Sequence, residues 1–211
     1  MKISIINGSQ KIGKSNTGII LDKLNDLLKE KHEVKNYHSG INDFSNETLK
    51  DIISGDVIVL AFPLFADSIP SQTLKMLIEL EKIVKRERVN NLIIYTIVNN
   101  GFYEGKQNHI ALDIMKNWCD HTGIKFGGGI GQGAGEMIGA TQDIPMNKGP
   151  FNNLGRALQA MTEKIELKEP FEITYLSPYF PRFLWKFMGT RFWHIRASKN
   201  GITKKDIIRK L

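Results

Sequence analysis

Two runs constrain this chain more than anything else in it: 57–62, VIVLAF, and 92–98, LIIYTIV, carry almost no polar side chain. A strand without a polar face must be covered on both sides, which a parallel sheet between two layers of helices achieves. The segments around them alternate accordingly. β-branched residues at 2–7 predict a strand that stops at the turn formers Asn7 and Gly8. Ile20, Leu24, Leu27 and Leu28 recur at helical spacing, with Ser15 or Asn16 available as the N-cap. The same logic predicts strands at 33–37, 56–62, 92–98 and 124–130. Helices are predicted at 47–53, 71–85 and 107–121, and around Leu154, Ala157, Leu158, Met161 and Ile165. Five βα units result.

With 211 residues and no internal repeat, one domain at 1–170 and an aromatic, basic extension at 171–211 account for the chain. No apolar run approaches the roughly 20 residues that span a bilayer. MKISIING enters a strand at once and lacks the features of a secretory signal, so a cytoplasmic protein is expected. A single cysteine, Cys119, excludes an internal disulfide and a cysteine-built metal or iron–sulfur site. The net charge of +7 is localised: nine of 29 Lys and Arg, but one of 22 acids, lie beyond residue 177, leaving 20 basic and 21 acidic residues before it. The pI of 9.4 is therefore no sign that the main domain binds nucleic acid.

Sheets of this kind bind ligands at the carboxyl ends of their strands, near the topological switch. Three loops qualify: 8–17, 63–72 and 99–107. The first, GSQKIGKSNT, sets Ser9, Ser15, Asn16 and Thr17 as donors and Lys11 or Lys14 as a charge at the start of a helix, where a phosphate can sit. Gly8 to Ser15 also fits the Walker A pattern GxxxxGK[ST]. An NTPase needs an acid directly after an apolar strand as well, and Asp67 lies well past its strand, beyond Pro63. In the second loop Pro63, Leu64 and Phe65 form an apolar edge, and the backbone of Ala66, Asp67 and Ser68 can approach ring heteroatoms. The third, NNGFYEG, adds Asn99, Asn100, Gly101, Phe102 and Tyr103. A flat aromatic ligand suits the last two.

In this order GSQKIGKSNT, FPLFADSIPSQTLK and NNGFYEGKQNHIALDIMKNW resemble the NADPH-dependent FMN reductase family of the flavodoxin-like superfamily, over roughly residues 1–166. The resemblance implies a flavodoxin-like α/β fold: a doubly wound, five-stranded parallel sheet of order 2-1-3-4-5, helices on both faces, and a C-terminal helical extension. It implies FMN, its phosphate on Ser9, Lys11, Ser15, Asn16 and Thr17 and its ring between 63–68 and 99–103. NADPH or NADH would be the cosubstrate, and a quinone, free flavin or other small electrophile the acceptor. The alternative is an FMN electron-transfer or redox-sensing module.

Flavin supplies its own chemistry, so no catalytic side chain and no metal is expected. A homodimer would suit a pocket completed by a neighbour. The stretch 126–150, with GGGIGQGAGEMIG, reads as a flap over the flavin or as a flexible connection. Nine of the 19 aromatics lie between Phe171 and Trp193, interleaved with basic residues. That pattern fits a pocket flap or dimer arm, or a segment resting on an anionic membrane with Phe183, Trp185 and Phe187 inserted and Arg182, Lys186 and Arg191 at the headgroups.

Overall fold

The computed structural model describes residues 1–40, 44–87, 89 and 91–208. It divides into two compact units, Met1–Pro178 and Tyr179–Leu211. The first unit runs β1 (Lys2–Asn7), α1 (Asn16–Leu28), β2 (Glu33–His38), α2 (Asn46–Ile53), β3 (Val57–Pro63), α3 (Ser71–Glu87), β4 (Ile93–Asn99), α4 (His109–Thr122), β5 (Lys125–Gln132), α5 (Gly135–Ala140), α6 (Asn152–Leu167) and β6 (Thr174–Leu176). All neighbouring strands pair in parallel, in the order β2-β1-β3-β4-β5-β6. The first five strands have the expected order. The sixth is a correction to the expected five: three half-buried residues add to the edge of β5, too few to carry an apolar pattern of their own.

Every residue of β3 except Pro63 is buried, and every residue of β4 is. Their side chains alternate between two cores. Val57, Val59, Tyr95 and Ile97 meet Ile20, Leu24 and Leu28 of α1 and Leu158, Met161 and Ile165 of α6. Ile58, Leu60, Phe62 and Val98 meet α2, α3 and α4, where Cys119 is also buried. Burial pushes the Cys119 thiol up to about 12, so at neutral pH it behaves as a small hydrophobe. The Tyr95 hydroxyl reaches the carbonyls of Glu169 (2.6 Å) and Lys164 (3.0 Å), tying β4 to the end of α6.

The glycine-rich stretch does not form a flap over most of its glycines. GGGIG is the buried strand β5. Its register against β4 shifts between Ile94 and Tyr95, and Gly128 takes φ +107° just past the shift. A Cβ there would run into the Phe171 carbonyl, so the bulge that lets 171 onward turn back along β5 requires glycine.

The second unit holds α7 (Arg182–Lys199) and α8 (Lys204–Ile208). Thr203 and Asp206 form a reciprocal cap at the start of α8: Thr203 N–H donates to Asp206 Oδ2 (2.8 Å) and Asp206 N–H to Thr203 Oγ1 (3.4 Å). The end of the extension, 209–211, lies outside the described residues. Among the described residues no helix is long and apolar enough to cross a membrane.

An ion cluster closes the β2 edge. Asp51 of α2 accepts from Tyr37 (2.5 Å), Lys35 (2.9 Å) and Lys2 (3.0 Å). These partners, the Tyr37 hydroxyl foremost, hold its carboxyl far below the usual range, and burial together with Asp51 pushes the Tyr37 phenol up. With the carboxylate 36% exposed, Asp51→Asn should cost about 1 kcal/mol at pH 7. Because the folded-state value is depressed, this contribution is complete above the ordinary carboxylate value near about 4 and disappears as pH falls below it. Urea midpoints should therefore show a constant gap between the two proteins from pH 5 to 8, narrowing below about pH 4.

Candidate functional site

The carboxyl ends of β1, β3, β4 and β5 bring the three loops together. Asn7 stands opposite Ala61, Pro63 opposite Asn99, and Asn99 opposite Gln132. The first loop leaves β1 through Gly8, whose N–H donates to Ala61 O (2.6 Å) and whose carbonyl accepts from Thr73 (2.9 Å). Buried Ser9 folds it back, its Oγ accepting from Lys11 N–H (3.2 Å). Ser15 is the N-cap of α1, in extended conformation, accepting from Gly18 N–H at 3.0 Å. Its own hydroxyl proton is not used by that cap. Asn16 is half-buried, and Lys11 and Lys14 are exposed.

Thr17 links this loop to the third one. It is 2% exposed and donates to Asn99 Oδ1 at 2.7 Å. The Asn99 carbonyl in turn accepts from Leu64 N–H (2.8 Å), so one residue holds all three loops. Beyond Leu64 the second loop turns sharply. Phe65 and Ser68 exchange both backbone hydrogen bonds (3.0 and 2.9 Å) around Ala66 and Asp67, which have φ of +46° and +57°. Two consecutive left-handed residues define a tight two-residue turn that ordinarily selects Asn or Gly. Ala66 stays there at a cost of roughly 1–2 kcal/mol. Phe65 is 48% exposed at this turn and Phe102 of the third loop 55%, the aromatic edges of the two loops.

The third loop rests on residues the sequence did not single out. Asn100 N–H donates to Gln132 O (3.0 Å), and Phe102 O accepts from Ala134 N–H (2.5 Å). Asn100 O accepts from Gly135 N–H (2.6 Å). Ala134 is fully buried at φ +53°, and a Cβ on Gly133 would strike the Tyr103 carbonyl. Tyr103 hydroxyl reaches Pro178 O at 3.5 Å. Among the described residues, Asn100 Oδ1 and Gln132 Oε1 are buried acceptors without a hydrogen-bond partner. Reading β5 as ending at Ile130 concealed Gln132 and the 133–135 turn.

A cavity of 570 Å³ adjoins the first loop. Gly13, Lys14 and Ser15 line it together with Asn7, Asp22 and Gln142, whereas the 63–68 and 99–103 loops do not. Its floor includes acids as well as Lys14 and Lys23, so it is not a purely cationic socket. The two histidines of α4 sit in ordinary settings. His109 Nδ1 lies 3.0 Å from Lys106 O, and exposed His121 pairs with Glu81 at 3.2 Å.

No protein-family model matches this chain, and no curated protein does. Solved structures do. An NADH:FMN oxidoreductase in its apo form superimposes with a TM-score of 0.57 at 13% identity, over 80% of this chain and 89% of that one. An NADPH-quinone reductase from P. pentosaceus gives 0.57 at 12% identity, over 78% and 97%. A rubredoxin oxygen:oxidoreductase from Desulfovibrio gigas gives 0.48 at 14% identity over 76% of this chain, which spans 36% of that much longer one. The first two likenesses establish the fold, the flavodoxin-like doubly wound sheet that the strand order also defines.

Thr17→Val keeps the shape of the side chain and removes the hydroxyl that donates to a buried acceptor, Asn99 Oδ1. An unpaired buried acceptor costs about 1–3 kcal/mol, so the urea midpoint should fall accordingly while Thr17→Ser stays near the parent.

Proposed function

We propose that this chain is a flavin-dependent oxidoreductase that binds FMN across the carboxyl edge of its sheet and uses NADPH or NADH to reduce a quinone, a free flavin or another small electrophile. The observation that carries the reading is the junction at Asn99. It ties a donor-rich loop at a helix N-terminus to two loops with exposed aromatic edges, the arrangement a phosphate joined to a flat ring requires. Similar structures described as an NADH:FMN oxidoreductase and an NADPH-quinone reductase support it.

The residues present fit FMN. The first-turn amides of α1 at Asn16 and Thr17 have no intrahelical acceptor, and Ser15 retains its proton for a phosphate oxygen. Lys11 and Lys14 add charge. Thr17, with its proton committed to Asn99, serves as the strut between phosphate loop and ring loops. The 65–68 turn directs its backbone by strain that the fold has already absorbed, so Pro63, Leu64 and Phe65 meet a ring without reorganising. Asn100 Oδ1, a buried acceptor lacking a donor, matches a ligand that carries a ring N–H. FMN, when bound, supplies the two-electron chemistry between nicotinamide and acceptor. The chain's part would be to hold the ring with the 63–68 and 99–103 loops, whose Phe65 and Phe102 are exposed, and to spend no side chain on proton transfer.

The Walker A pattern does not extend into NTPase machinery. β3 and β4 end in Pro63 and Asn99, and the first acid after β3, Asp67, is exposed at the tip of the turn.

The reconstituted protein should show an FMN spectrum that NADPH or NADH bleaches anaerobically and a quinone or oxygen restores, with ping-pong kinetics. Ser15→Ala should weaken FMN binding by about 1.5–3 kcal/mol. Because Ser15 is also the cap, Ser15→Asp separates the two roles: it preserves stability but repels the phosphate. FMN affinity unchanged in Ser15→Asp would overturn the assignment. Bleaching by a protein reductant but not by nicotinamide identifies a carrier, and magnesium-dependent ATP binding lost in Lys14→Ala identifies an NTPase.

A further inference from the structure

We propose that the cavity beside the first loop is a nucleotide subsite, taking the adenylate end of a dinucleotide whose ribose hydroxyls are free. The inference rests on the flavin reading and extends it past the phosphate. A flavin phosphate held at Ser15 would occupy one corner of this space, and the ring goes to the 63–68 and 99–103 loops, no residue of which lines the cavity. Its 570 Å³ falls within the range of pockets that enclose whole small molecules, about 300–1,000 Å³. One phosphate group leaves most of it for something else.

The space has a direction. Ser15, Gly18, Ile19, Asp22 and Lys23 follow the three- and four-residue spacing of one helix face, so the wall runs along the first two turns of α1. At about 1.5 Å per residue, Asp22 stands roughly 10 Å along the axis from Ser15, a distance suited to a nucleoside and too long for a phosphate alone. Glycine weakens a helix, yet at position 18 it leaves room: a Cβ there would lie 3.1 Å from Ser15 Oγ and 3.3 Å from Asn7 Nδ2. Gln142 and Asp143, just past α5, also line the cavity, and every lining residue belongs to the Met1–Pro178 unit.

The lining chemistry is mixed in the way a nucleotide is mixed. Lys14 and Lys23 bring charge for phosphate oxygens. Asp22 and Asp143 bring acceptors of the kind that dinucleotide-binding folds use for ribose hydroxyls, and they would repel a phosphate carried on that ribose. Asn7 Oδ1 already accepts from Ser9 N–H (3.0 Å), which leaves its amide nitrogen as a donor. Gln142 offers both halves of an amide, the pair that matches the amino group and ring nitrogen of adenine. Among the described residues, Lys14, Asp22, Gln142 and Asp143 spend their side chains on no hydrogen bond or ion pair. A bare anion would leave the two carboxylates opposed to it. Two dinucleotides carry the required end: FAD, in which the adenylate continues from the flavin's own phosphate, and NADH.

The test is calorimetric binding to the full chain. One arm compares FAD with FMN, and the other compares ADP-ribose with its 2′-phosphate on the FMN-loaded protein, neither of which can reduce the flavin. FAD should bind about tenfold more tightly than FMN or better, since one hydrogen bond to a carboxylate supplies roughly that factor. Asp22→Ala with Asp143→Ala, both at exposed positions, should abolish this advantage while FMN binding and circular dichroism stay as in the parent. If FAD has no advantage but ADP-ribose binds and is preferred over its 2′-phosphate until the same two changes are made, the adenylate is that of NADH. No adenylate preference in either arm overturns the proposal and leaves the flavin reading standing, and so does a preference that survives both substitutions. Failure of FMN and FAD alike to bind overturns both.

Discussion

Asn99 sits where the constraints on this fold converge. A parallel strand buried on both faces carries few polar side chains, and a polar one at its last residue stands where the loops leave the sheet. Asn99 is that residue of β4. It lies in register between Pro63 and Gln132, accepts the proton of Thr17 on its side chain and the N–H of Leu64 on its carbonyl. The placement of α1, and with it the donor-rich loop, thus follows from a central strand and not from a mobile surface connection. Loops held in this way can present groups to a ligand without first being ordered by it.

Backbone strain gathers at the same end of the sheet. Of the four non-glycine residues with positive φ among those described, Lys168 is an ordinary helix C-cap, but Ala66, Asp67 and Ala134 all border the candidate site. Alanine gains nothing from the left-handed region, having neither the side-chain hydrogen bonds of Asn nor the freedom of Gly. Each such residue persists because its surroundings overdetermine it: the paired hydrogen bonds of Phe65 and Ser68 around the first turn, and the short contact from Ala134 N–H to Phe102 O at the second. Strain of this kind points from the backbone to a binding role.

What the sequence disclosed was whatever depends on side-chain pattern. The runs at 57–62 and 92–98 announced buried strands, the helical spacings announced α1, α3, α4 and α6, and of the two N-cap candidates, Ser15 and Asn16, the structure uses Ser15. What it concealed depends on partners distant in the chain. Thr17 and Asn99 are 82 residues apart, and nothing near either one says that the threonine will spend its proton there and not on a ligand. β6 is three residues long and exists only because β5 offers an edge. The strand expected at 124–130 was legible, but not the packing that its glycines serve, Gly129 against Leu112 and Gly131 against Tyr175. Asp67 is a turn former but Ala66 is not, so a left-handed turn that begins on alanine and is held by tertiary restraint stayed invisible.

The charge distribution separates two physical problems that an overall net charge of +7 merges. The residues before 178 are close to neutral, and their ion pairs do local work, as Asp51 does for β1, β2 and α2. After it, α7 combines exposed aromatics with cations and includes no acid, so charge there cannot be balanced within the helix. A soluble surface would ordinarily intersperse both signs and keep large apolar side chains few.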